Sequence, residues 1–116
     1  MKVVSIVQVM NGKTEDELIM QRIAVSQKLR SAFMEIEVIP SLSPAADTTN
    51  GHIAIRLLAK ELELISGSEL VAFAPGWESS RMAVSLRQIC VDHGMETVCF
   101  SDAELGGAER GSGTTE

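Results

Sequence analysis

The stretch Phe73-Ala-Pro-Gly-Trp-Glu-Ser-Ser-Arg81 gathers the chain's single tryptophan, a carboxylate, two hydroxyls and a guanidinium into one short segment. It follows the apolar run Leu70-Val71-Ala72-Phe73-Ala74, which Pro75-Gly76 ends, and it opens a helix. In open α/β sheets such strand-to-helix turns line the crevice outside the carboxyl ends of the strands. There the following helix offers unpaired backbone N–H groups to an anion or a sugar hydroxyl. Trp77 suits two roles, a stacking platform for a base or an anchor on a neighbouring subunit. Arg81 suits a contact to phosphate or ribose, or an ion pair with Glu78, and Glu78 sits where a helix dipole favours negative charge. Ser79 and Ser80 are both N-capping types.

A second turn, Met10-Asn11-Gly12-Lys13, ends the first apolar run. Gly12 permits close backbone approach, which a turn requires with or without a ligand, and Lys13 either meets the same ligand or is simply solvated. The other reactive residue types carry little. Cys90 and Cys99 lie inside apolar segments without CxxC or Cys/His spacing, so they read as reduced core thiols. His52 fits the first turn of a helix and His93 the end of another, and neither has a Ser or Cys at triad spacing. No metal and no cofactor are expected.

The elements that must position these turns follow from hydrophobic spacing. Val3–Val9 is β-branched and apolar on both faces apart from Ser5 and Gln8, which predicts a buried strand, β1. Thr14 with Glu17 three residues on is a capping box. Leu18, Ile19, Ile23, Leu29 and Phe33 then predict helix α1 from about Glu15 to Phe33. Glu37–Ile39 reads as a short strand, β2, stopped by Pro40, with a long loop over 41–51 whose length favours a functional role. Ala54, Leu57, Leu58, Leu62 and Ile65 mark one face of helix α2 from His52, ended by Gly67. Glu61 falls near that apolar side and needs a partner such as Arg56 or a residue across an oligomer interface. Leu70–Ala74 is β3. Helix α3, capped by Ser79 or Ser80, buries Met82, Leu86, Ile89 and Cys90 and stops at Gly94, and Thr97–Phe100 is β4.

This alternation, with right-handed crossovers, predicts a flavodoxin-like three-layer α/β sandwich on a parallel sheet of about four strands in the order 2-1-3-4. The turns after β1 and β3 then meet at the topological switch point, and the expected ligand contacts are Gln8, Met10, Asn11, Gly12, Lys13, Gly76, Trp77, Glu78, Ser79, Ser80 and Arg81. The domain is expected to cover 1–101. The Gly- and Ser-rich segment 102–116 reads as a disordered tail, too poor in apolar residues to order itself.

Composition narrows the partners. With 116 residues the chain is one domain, and 16 acidic against 10 basic residues give a net charge of -6 with no Lys/Arg cluster. That balance lacks the footprint of a nucleic-acid polymer binder. The apolar start is too short for a signal peptide and no stretch approaches a membrane span, so the expected compartment is the cytoplasm.

Three segments, Met10-Asn11-Gly12-Lys13-Thr14, Leu58-Ala-Lys-Glu-Leu-Glu-Leu64 and Ala74-Pro-Gly-Trp-Glu-Ser-Ser-Arg81, together resemble small bacterial and phage proteins of the nucleoside 2-deoxyribosyltransferase-like superfamily. The resemblance spans roughly Lys2 to Phe100. It implies a homo-oligomer with shared sites, a nucleoside or nucleotide ligand, and in catalytic members the cleavage or exchange of an N-glycosidic bond. Those members place a glutamate nucleophile early in the helix after β3 and an aspartate at the start of β3. Carboxylates suit this work because they stabilise or trap an oxocarbenium-like transition state. Carried over by spacing, the nucleophile falls on Leu86, a preceding glycine on Met82, and the aspartate on Glu69. A leucine cannot attack an anomeric carbon, although Leu86 equally belongs to the buried stripe of α3. Three readings follow: a nucleotide binder with lost or weakened chemistry, of the kind a phage would use to sequester a nucleotide; an active transferase or N-glycosidase using Glu69 and Glu78 with a carboxylate donated by another subunit; or a ligand-free oligomeric interaction module.

Overall fold

β1 (Lys2–Val9) is largely buried because it lies inside the sheet, flanked on both edges by other strands. The computed structural model describes residues 1–10, 12–43 and 51–105. Helix α1 (Glu15–Phe33) starts at a complete capping box, in which Thr14 Oγ1 accepts from Glu17 N and Glu17 Oε1 accepts from Thr14 N. Glu15, Asp16 and Glu17 in its first turn and Arg30 in its last complement the helix dipole.

The chain leaves α1 through Met34, at φ 57° and ψ -66°, and Glu35 N–H donates back to Phe33 O. This is the rarer γ-turn, with positive φ at a residue that carries a Cβ. Such conformations cost about 1–3 kcal/mol. The Met34 side chain is 87% exposed, so nothing in its packing repays that cost. Met34→Gly is therefore expected to stabilise the protein by about 1 kcal/mol, after subtracting the greater unfolded-state freedom of glycine. A melting temperature raised by about 4 °C in a thermal melt is the expected result, and an unchanged or lower one would show the turn to be unstrained.

β2 (Ile36–Ser43) runs straight through Pro40, where the sequence predicts a three-residue strand stopped by it. The reason lies in the sheet order, β2-β1-β3-β4, which makes β2 an edge. Lys2 N–H donates to Glu35 O, so the odd-numbered residues of β2 turn their backbone groups toward β1 and the even-numbered ones face outward. Pro40 thus lacks only a donor that no ladder bond uses, the one place a strand tolerates proline. Residues 44–50 of the expected loop lie outside the described residues.

Helix α2 (Gly51–Ile65), β3 (Leu70–Phe73), α3 (Arg81–Asp92) and β4 (Glu96–Cys99) complete the alternation. All three strand pairings are parallel, as the alternation predicts for a flavodoxin-like α/β fold. A one-turn 3-10 helix, Trp77–Ser79, precedes α3, and Ser80 rather than Ser79 caps it by accepting from Ala83 N. The inner stripe of α3 is Ala83, Leu86 and Cys90, with Met82 and Ile89 only half-buried. Gly94 follows His93 at φ 76° and ends the helix.

Alternation along the strands builds two cores. Val4 and Ile6 of β1 with Leu70 and Ala72 of β3 pack on Val25 and Leu29 of α1. Val7, Val9, Val71 and Phe73 pack on Ile65 of α2 and on Ala83, Leu86 and Cys90 of α3. The sheet is thus sandwiched by α1 on one face and by α2 and α3 on the other. After β4, residues 102–105 form a helical turn whose Leu105 rests on the α1-side core. Of the expected tail, residues 106–116 lie outside the described residues.

Candidate functional site

The pairing of Val7 with Phe73 brings the carboxyl ends of β1 and β3 side by side, and Ala74 N–H donates to Val7 O just beyond. The two turns therefore leave from one point, the switch between α1 and α3 on opposite faces. After β1, Lys13 N–H donates to Met10 O at 2.7 Å and closes a tight turn with Gly12 at φ 74°. After β3, Gly76 takes φ 91°, a region closed to most L side chains, and a Cβ built there would lie 3.8 Å from Lys13 Nζ. Lys13 thus reaches across to the second turn. No carboxylate among the described residues forms an ion pair with its ammonium.

Beneath these turns sits a polar network. Gln8 is fully buried, its Nε2 donating to Leu18 O and Gln21 Oε1 while its Oε1 accepts from Arg22 Nε. Gln21 Nε2 in turn donates to Pro75 O at 3.3 Å, tying α1 to the turn after β3. Gln8, expected among the ligand contacts, has both amide atoms engaged by protein and stands under the crevice as support.

The remaining expected residues divide in the same way. Ser80 is buried and its hydroxyl caps α3, while Ser79 Oγ donates to Gly76 O at 2.7 Å and braces the 3-10 turn. Trp77 is half-buried, its ring tilted at 55° against Phe73 with centroids 5.7 Å apart. The guanidinium of Arg87 lies over that ring, 5.4 Å from its centroid. Part of the aromatic surface is therefore covered from within the chain. Met10, Gly12, Glu78 and Arg81 are exposed around the crevice, and Asn11 lies outside the described residues.

Glu69 and Glu78 are not brought together. Glu69 precedes β3 and its Oε1 accepts from Val3 N–H at 2.9 Å, at the amino end of the sheet. Glu78 follows β3 at the carboxyl end, and the strand between them alone spans roughly 13 Å. Within one chain they cannot attend the same glycosidic bond. Leu86 has no exposed surface and belongs to the core under α3. Glu61, buried at the apolar side of α2, accepts from Ser41 Oγ of β2 at 3.0 Å, a partner the spacing of charges alone did not offer.

Sequence reasoning missed Arg87. Its one available signal was position, a charged residue next to the fully buried Leu86 and so at the margin of the inner face of α3. Arg87 also stands beside Cys99. Burial pushes the Cys99 thiol up, the Arg87 guanidinium pulls it down, and the carboxylates of Glu78 and Glu104 push it up again, leaving it raised. Burial alone raises Cys90. Both thiols are thus protonated at neutral pH, inert as nucleophiles or metal ligands. Among the described residues no three of His, Cys, Asp and Glu converge as a metal-ligand set, and no helix is long and apolar enough to cross a membrane. Set beside known proteins, the chain matches no family model, no curated protein and no solved structure.

Proposed function

We propose that the chain binds a nucleoside or nucleotide in the crevice between the turns after β1 and β3, with its glycosidic chemistry lost or strongly weakened. The observation that carries this reading is Lys13, whose ammonium crosses to Gly76 at the switch point without a carboxylate partner among the described residues. A cation held there, beside the positive-φ glycine that keeps the backbone bare, suits the anionic or polar end of a ligand at the place where α/β sheets receive one. The resemblance of the Gly76–Arg81 segment to the nucleoside 2-deoxyribosyltransferase-like superfamily supplies the ligand class. Leucine at position 86 and the separation of Glu69 and Glu78 within one chain support the loss of chemistry. We take the protein to work in the cytoplasm as a homo-oligomer. Ile19, Met20 and Ile23, exposed on α1, give it an apolar surface for self-association.

A thermal-shift screen against nucleosides and nucleotides, with each mixture checked for released base, tests the reading. Ligand that binds the folded state raises its melting temperature by mass action. The expected result is a shift without base release, and Lys13→Ala should weaken a nucleotide about tenfold, as loss of a charge-assisted contact does. Base release by the unmodified chain would make it an enzyme, and no shift with any ligand would end the proposal.

A further inference from the structure

Arg87 is placed as few structural arginines are. Its guanidinium lies on the indole of Trp77, its Nε is buried, and that Nε–H meets no acceptor among the described residues. Nor does any carboxylate among them form an ion pair with it. Glu78 and Glu104 are near enough to influence Cys99, which lies beside Arg87, yet neither closes on the guanidinium. Cys99 shares a side-chain hydrogen bond with Arg87, but, held protonated by burial, it supplies no countercharge. A buried donor without an acceptor is costly, and an unpaired cation in a half-buried setting more so. Folding alone gives no return for holding the side chain in this way beyond the cation–π contact, which is modest. The planar fork of an arginine fixed on an aromatic ring is, however, already ordered for an oxyanion.

We infer that Arg87, held on Trp77 at the carboxyl end of β3, is an anion-binding residue that recognises a phosphate group of the ligand. Lys13 approaches Gly76 and Arg87 lies on Trp77, neighbouring residues of one turn, and two cations at one turn suit a dianionic phosphate monoester better than a monocarboxylate. The guanidinium, fixed on the indole, meets the phosphate, and Glu78, exposed at the mouth, opposes its entry by like charge. This rests on the nucleotide reading above and narrows it to ligands that carry phosphate.

Trp77, the chain's only tryptophan, reports on the event directly. Its emission is followed while the full chain is titrated at constant ionic strength with inorganic phosphate, ribose 5-phosphate and adenosine, the last also by thermal shift. A saturable response to ribose 5-phosphate is expected, weakened about tenfold or more in Arg87→Gln, partly restored in Arg87→Lys, and strengthened a few-fold in Glu78→Gln. Should Arg87→Gln fail to fold, Arg87→Lys alone decides, because a lysine keeps charge and stem but loses the fork and must bind several-fold more weakly than the parent. Equal affinity in a folded Arg87 variant, or no saturable response to either phosphate probe, overturns the inference. If adenosine still stabilises the chain in that case, the nucleoside reading survives; if no probe binds, both fall.

Discussion

Leu86→Glu is expected to destabilise the protein by about 3–5 kcal/mol and to yield no glycosidase, because a carboxylate at this position enters the core and not the crevice. Leu86 has no exposed surface and packs with Val7, Phe73, Ala83 and Cys90. The substitution removes a buried apolar side chain, which costs about 2–5 kcal/mol by itself, and asks for the burial of a charge. Against a total stability of about 5–15 kcal/mol that loss leaves many molecules unfolded near body temperature. The effect has a pH signature. The buried glutamate's folded pKa rises above its unfolded value of about 4.3, so both states hold the neutral acid below that pH and the penalty grows as pH climbs past it. Urea melts at acid and neutral pH, paired with an assay for released base, check both halves. A variant that melts like the parent and releases base would move position 86 out of the core and into the crevice.

Gln8→Leu carries the second largest effect. The side chains are similar in volume, so packing is nearly kept while three hydrogen bonds go. Leu18 O, Gln21 Oε1 and Arg22 Nε all lose their partner on β1. Groups left bare in a buried site cost more than the bonds themselves contributed, and a loss of about 2–4 kcal/mol is expected. The functional consequence travels through Gln21, whose amide also holds Pro75 O at the entrance to the Gly76 turn. Gln21→Ala separates the two roles: it should lower stability by only about 1 kcal/mol while weakening any ligand of the crevice, since the tether is lost and the buried amide of Gln8 keeps its bonds to Leu18 and Arg22. Urea unfolding with an unchanged slope gives the first number. A Gln8→Leu loss below about 1 kcal/mol would mean that water replaces the network at no cost.

What could be read from residue order was what local chemistry decides. The Thr14–Glu17 box, the bounds of α1, the buried runs of β1 and β3 and the stop at Gly94 all depend on neighbours within a few positions. The strand order followed from handedness. β2 was cut short because proline in a strand depends on which way one N–H points, and that is known only once Glu35 is seen to bond Lys2. The site divides along the same line. The two turns meet as the switch-point rule requires, yet nothing local told that Gln8 and Ser80 would be buried in supporting roles. That Arg87 would lie on Trp77 was also hidden, because it depends on how a 3-10 turn rotates α3 relative to the end of β3. Glu69 and Glu78, near in sequence, are divided by the direction of a strand.

The sheet order also sets a timetable for synthesis. β1 is made first and lies inside the sheet, but its second neighbour, β3, ends only at Phe73. A ribosome working at about 5–20 residues per second needs a few seconds to pass from Ser43 to Phe73. For that interval the β1-α1-β2 unit has one raw edge and one uncovered apolar face, Val7 and Val9, waiting for α2, β3 and α3. The nascent first half is thus a client for whatever shields exposed strands in the cell until α3, which closes that face, has been made.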